Sequence, residues 1–176
     1  MEKVLEKIVQ SNEYCSVYDD IDRPKRFSFG SFIACDSIHA VLKAYLPNGD
    51  FDGFQLIPID NIFKIERGDT YGNCMKQLIH DDDCTISIDR QRVCHSFIEY
   101  CNNEGKLISI TVSDDEWDAV GFIDSIAQGT ITVRQVDEFG RLDGVAYIRE
   151  DDITFARCMS EEEEKLSRLH CINEEK

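Results

Sequence analysis

Slid along itself by 91 residues, the chain meets a second version of one of its own segments: "NGDFDGFQLIPIDNI" lies over "FGRLDGVAYIREDDI" without a gap. Over 49–62, six of fourteen positions are identical: Gly49/Gly140, Asp52/Asp143, Gly53/Gly144, Ile57/Ile148, Asp60/Asp151 and Ile62/Ile153. Phe51/Leu142, Phe54/Val145 and Leu56/Tyr147 keep their apolar character. The same offset pairs Gly30 with Gly121, Leu42 with Val133, Lys43 with Arg134, Asp69 with Ser160 and Leu78 with Leu169. Near each start it also pairs Asn12 with Asn103 and Glu13 with Glu104. Self-similarity at a fixed period constrains a fold strongly, because whatever one half becomes the other must become too. It predicts two domains, 1–87 and 88–176, joined by the acidic tract "HDDDC" at 80–84 as a solvated linker.

Each half reads in one order. A helix comes first, with Val4, Leu5, Ile8 and Val9 as one apolar stripe and Val93, Phe97, Ile98 and Cys101 as the other. Asn103 and Gly105 are stop signals for the second. Five short strands follow, rich in β-branched and aromatic residues with period-two alternation: "YCSVYD", "RFSFGSFIAC", "HAVLKAYL", "GFQLIPI" and "IFKIER", then "KLISITV", "WDAVGFIDSI", "GTITVRQVD", "GVAYIRE" and "DITFARC". A closing helix ends each half. Ser160 with Glu163 spells a capping box, Glu residues at 161–164 suit the positive end of the helix dipole, and Asp69 is the corresponding cap in the first half. Gly72 weakens that first-half helix. The expected fold class is therefore α+β, mainly β: two tandem units of a helix, five strands and a closing helix, related by internal duplication.

The duplicated segment has the look of a calcium loop, with Asn48, Asp50 and Asp52 alternating before Gly53. An EF-hand requires a bidentate Glu at position twelve, and that position is Ile59. In the second half Glu150 falls at twelve, but Phe139 and Arg141 occupy positions one and three. Both flanks read as strands where helices are needed. Gly49, Asp52 and Gly53, with Gly140, Asp143 and Gly144, are instead assigned to hairpin turns, where Gly and Asp tolerate left-handed backbone angles.

Other chemistry is sparse. Eight cysteines (15, 35, 74, 84, 94, 101, 158 and 171) contain no C-x2-C pair of the kind structural zinc requires, so no metal site is assigned and they are read as reduced, small hydrophobes. The neighbours Cys94 with His95 and His170 with Cys171 have the wrong spacing for a zinc knuckle. There is no Gly-rich phosphate loop, no G-x-S-x-G elbow and no H-E-x-x-H, and hence no catalytic residue or cofactor is assigned. The carboxylate pairs Asp114 with Asp115 and Asp151 with Asp152 are read as turn or cap residues, as is Asp60. The basic cluster Arg23, Lys25 and Arg26, with Phe27 and Phe29 following, and the lone Trp117 are candidate partner contacts.

The formal charge is −16, from 35 acidic against 19 basic side chains, which argues against general nucleic-acid binding because that affinity depends on Lys and Arg neutralising phosphates. No run approaches the roughly 18 apolar residues that span a bilayer, and "MEKVLEKIVQ" has no secretory core. No membrane association is expected, and the expected location is the cytosol.

One helix and five short strands with glycines at the hairpins resemble the small-barrel modules of SH3-like and Sm-like proteins. "LPNGDFDGF" is similar to the first Sm motif, with a glycine spacing one residue shorter. The tract "GFI…VDEFGRLDG…DDI" is similar to modules in uncharacterised bacterial cytosolic proteins. The resemblance implies a small barrel in each half, with the two pairing within one chain or across a homodimer. The function expected is that of a non-catalytic protein-interaction or regulatory module; the alternative is an Sm-like RNA-binding protein using Arg23, Lys25 and Arg26.

Overall fold

A computed structural model describes residues 1–80, 84–112 and 118–175. The chain divides into two units, Met1–Val93 and Cys94–Lys176. In the first unit α1 (Glu2–Ser11) precedes β1 (Tyr14–Tyr18), β2 (Ser28–Cys35), β3 (His39–Tyr45), β4 (Phe51–Pro58), a 3-10 turn (Ile59–Asn61), β5 (Lys64–Glu66) and α2 (Thr70–Leu78). In the second, α3 (Val93–Asn103) precedes β6 (Leu107–Thr111), β7 (Ala119–Ala127), β8 (Thr130–Val136), β9 (Leu142–Arg149), a 3-10 turn (Glu150–Asp152), β10 (Phe155–Cys158) and α4 (Glu161–Glu174). The mixed α+β class and both closing helices are as the sequence predicts.

Each unit carries an antiparallel sheet, ordered β5-β1-β2-β3-β4 in the first and β10-β6-β7-β8-β9 in the second. Consecutive strands pair as hairpins, and the last strand returns to lie beside the first. These pairings form open sheets; no pairing joins β4 to β5, or β9 to β10, among the described residues. The expected closed barrels therefore do not follow from the strand pairing.

Irregularities recur at matching places. The β2–β3 register shifts between Phe32 and Ala34, and the β7–β8 register between Ile123 and Ser125. The β3–β4 register shifts between Lys43 and Tyr45, and the β8–β9 register between Arg134 and Val136. Every one of these pairs is separated by the repeat offset of 91. At the second pair of bulges the extra residue is accommodated beside a glycine of positive φ, Gly53 at 80° and Gly144 at 87°.

In the first unit Leu5 and Ile8 of α1 are buried, and the helix packs on β2. The apolar stripe is narrower than its sequence suggests, because Val4 is exposed and Val9 only half-buried. All four predicted stripe residues of α3, Val93, Phe97, Ile98 and Cys101, are fully buried. Phe29, Tyr45 and Met75 form an aromatic-rich cluster under α2, joined by Tyr14, Phe27 and Tyr71. Both predicted caps are present: the Asp69 carboxylate accepts from the Gly72 N–H at 3.1 Å, and Ser160 with Glu163 completes a capping box. No helix among the described residues is long and apolar enough to cross a membrane.

Candidate functional site

The turns singled out in the sequence have local work to do. In the β3–β4 turn the Leu46 N–H donates to the Asp50 carbonyl and the Gly49 N–H to the Leu46 carbonyl, both at 2.9 Å. The Asn48 amide donates to the Asp50 carboxylate at 2.7 Å and its oxygen accepts the Asp50 N–H at 3.1 Å. Two of the oxygens a calcium loop would use, Asn48 Oδ1 and Asp50 Oδ2, are thus hydrogen-bonded within the turn. In the β8–β9 turn the Gly140 N–H donates to the Asp137 carbonyl at 2.9 Å and the Asp137 N–H to the Arg141 carbonyl at 2.8 Å. The Arg141 backbone N–H and guanidinium hold the Asp137 carboxyl below its ordinary value, against a smaller desolvation cost.

Gly49 and Gly140 also meet their closing helices. A Cβ on Gly49 would lie 2.2 Å from the Leu78 carbonyl oxygen, and one on Gly140 would lie 2.6 Å from the His170 nitrogen and 2.7 Å from the Leu169 Cβ. With φ of 91° and 75°, both positions need glycine for two reasons: backbone angle and close approach. Asp52 and Asp143 sit on the bulges of β4 and β9. Gly49, Gly53, Gly140 and Gly144 all take positive φ in or beside these turns, and no cluster of three or more His, Cys, Asp or Glu able to hold a metal ion occurs among the described residues.

Arg23, Lys25 and Arg26 are exposed on the β1–β2 connection. Arg23 Nε is 2.6 Å from the Asp20 carboxylate, and Asp19 and Asp22 stand in the same loop, so three acids accompany three bases. Trp117, with Asp114 and Asp115, and the 81–83 portion of the acidic tract lie outside the described residues. Asp60 and Asp151 are both exposed in the 3-10 turns.

Several thiols are buried and two imidazoles are hydrogen-bonded. All eight cysteines are free; Cys15, Cys94, Cys101 and Cys158 are buried, whereas Cys74 and Cys171 are exposed. Burial pushes the Cys15 thiol up to about 12, leaving it protonated and unreactive. The His95 Nδ1 is 2.9 Å from Glu150 and its Nε2 is 3.2 Å from Glu99, so this imidazole bridges two carboxylates. The His170 Nδ1–H donates to the Gly140 carbonyl at 3.0 Å, which pins α4 to the turn. A groove of about 440 Å³ beside α1 is lined by Glu2, Glu6, Gln10, Asp36 and Arg90; it is open and polar, unlike the enclosed apolar sites that small molecules prefer.

The most distinctive surface is strand β9, which sequence reasoning treated only as one of ten strands. Among the described residues it pairs with β8 alone and ends the sheet. Leu142 is 52%, Val145 48% and Tyr147 75% exposed, with Phe139 of the preceding turn 56% exposed. At the repeat-related positions of β4, Phe54 and Leu56 are fully buried. A long apolar edge strand is ordinarily covered, charged or twisted away, because its free backbone groups can pair with another chain. The sequence held one signal of the difference: where β4 has Phe54, Gln55 and Leu56, β9 has Val145, Ala146 and Tyr147, trading large apolar bulk for a side chain with a polar tip.

Comparison with family models, with curated proteins and with solved structures returns no match.

Proposed function

We propose that the chain is a tandem pair of small-barrel modules acting as a non-catalytic protein-interaction protein. Three features support the tandem small-barrel reading: the shared strand order, the bulges at matching positions, and the close-packed glycines Gly30 and Gly121. A Cβ on either glycine would lie 2.0 Å from a carbonyl oxygen of the neighbouring strand, Lys43 in one unit and Arg134 in the other. Bulges increase the twist and curl on which a small barrel depends.

The observation that carries the interaction reading is the bare β9 edge. Four large apolar side chains, Phe139, Leu142, Val145 and Tyr147, line up on an edge strand and its turn. Strand addition at such an edge draws affinity from main-chain hydrogen bonds and selectivity from alternate side chains. A photo-crosslinking residue in place of Tyr147 tests this in lysate of the source organism, with Glu104 on the α3–β6 connection as the control position. Crosslinked protein at 147 and none at 104 is the expected outcome; nothing at either position removes the basis of the reading.

The Sm-like RNA-binding alternative has the exposure of Arg23, Lys25 and Arg26 in its favour, and the acids of the same loop against it. Binding to oligouridine that is lost when all three charges are reversed, and weakened by salt, would replace the protein-interaction reading.

A further inference from the structure

Resting on the interaction reading, we infer that the partner of β9 is β9 of a second copy of this chain, paired antiparallel about a twofold axis at Ala146. The backbone dictates which residues are available. The Glu150 N–H donates to the Gly129 carbonyl at 2.9 Å, and the register continues as Arg149 opposite Thr130, Ile148 opposite Ile131 and Ala146 opposite Val133. In an antiparallel ladder the bonded pairs alternate, so Ala146 and Ile148 direct their N–H and C=O groups toward β8. Val145, Tyr147 and Arg149 direct theirs outward, away from the sheet. A symmetric partner strand must bring outward-facing residues opposite one another, which places the twofold axis on a residue and not between two; away from the Gly144 bulge, the axes nearest the strand centre are residues 145, 146 and 147.

Side-chain chemistry selects among these three. An axis at Val145 sets Val145 against itself and Asp143 against Tyr147. An axis at Tyr147 sets Val145 against Arg149. Only the axis at Ala146 sets Val145 against Tyr147 twice and Asp143 against Arg149 twice, apolar with apolar and acid with base. The bulge beside Gly144 displaces Asp143 from ideal register, and the long Arg149 side chain spans that displacement. Arg149 is free to reorient: its side chain is 71% exposed, and its present partner Asp152 lies 3.2 Å away on an exposed carboxylate. Isologous pairing is also the commonest symmetry of soluble oligomers, and it closes the edge completely.

Sedimentation of the intact chain near physiological ionic strength tests the inference, since the formal charge of −16 makes unscreened copies repel. A reversible dimer that dissociates on dilution is expected. Asp143→Arg and Arg149→Asp should each weaken it at least tenfold, and the double exchange should restore it, with unchanged circular dichroism and melting in all three variants. A dimer whose dissociation constant moves less than threefold in both single variants overturns the inference, as does a wild-type chain that remains monomeric at every concentration. In that second case, crosslinking from residue 147 to a different protein would leave the interaction reading standing, whereas no crosslink at all would remove both.

Discussion

The Ser109 hydroxyl, on β6, donates to the Glu163 carboxylate, on α4, at 2.6 Å, and both side chains are almost wholly buried. The same carboxylate accepts from the Arg157 guanidinium at 3.1 Å and receives the Ser160 N–H at 3.2 Å and the Ser160 hydroxyl. One acid therefore caps the closing helix, joins it to the first strand of its sheet and neutralises a half-buried arginine. Both carboxylate oxygens of Glu163 have donors, which is the condition under which a buried charge is tolerated.

Removing that acid should be costly. Glu163→Ala takes the buried acceptor from Ser109 and leaves Arg157 to Glu162, 2.5 Å away, and is expected to destabilise the second unit by about 2–3 kcal/mol, as when charge-assisted hydrogen bonds are lost. Ser109→Ala should cost only about 1 kcal/mol, because Glu163 keeps its other donors. Urea unfolding followed by circular dichroism measures both. Equal losses in the two variants would contradict the central role given to the carboxylate.

Gly30→Ala and Gly121→Ala should each destabilise by about 4 kcal/mol or more, since the new Cβ would sit 2.0 Å from a backbone oxygen that cannot move without breaking the ladder. Gly129→Ala is the control. Nothing lies within 4 Å of its added Cβ, and its φ of 73° should cost only about 1–2 kcal/mol. Thermal melts of the three variants rank the two effects.

The cysteines should separate by burial. Cys74 and Cys171 are expected to react with a thiol reagent at pH 8 in the native protein, and Cys15, Cys101 and Cys158 only after unfolding. Cys15 also predicts an alkaline limit. Its folded-state value, about 12, lies above the ordinary thiol value of 9.0, so its contribution to stability is fully present below pH 9 and is lost as pH rises toward 12. Over that window the loss approaches about 1.4 kcal/mol per pH unit per thiol, and Cys15→Ala should flatten the stability profile by that amount.

Calcium should do nothing. A site with a dissociation constant near 10 µM would stabilise the fold by about 2.7 kcal/mol at 1 mM calcium, an easily measured rise in melting temperature. With Asn48 and Asp50 bonded to each other and Ile59 at the closing position, no rise is expected. A shift of that size would reopen the metal reading of the 48–59 loop.

Much of the architecture was legible because its causes are local. A Ser or Asp before a helix accepts from the first turn wherever it occurs, and so Asp69 and Ser160 could be named as caps from spacing alone. Glycines at 49, 53, 140 and 144 marked turns because positive φ is a single-residue property. Alternation located the strands, and the offset of 91 indicated that the two halves share one order of elements. Val4 was misjudged, since a helical stripe states which residues can face a core and not how wide that core is.

Long-range contact was decided by the tertiary structure alone. Ser109 and Glu163 are 54 residues apart, and nothing at either position announces the other. The exposure of β9 is of the same kind. "LDGVAYIR" alternates as a covered strand does, and "FDGFQLIP" at the matching place is indeed covered. Local propensity determines that a strand forms, whereas its edge is closed or left bare by residues distant in sequence, through a ladder whose partner no local pattern names.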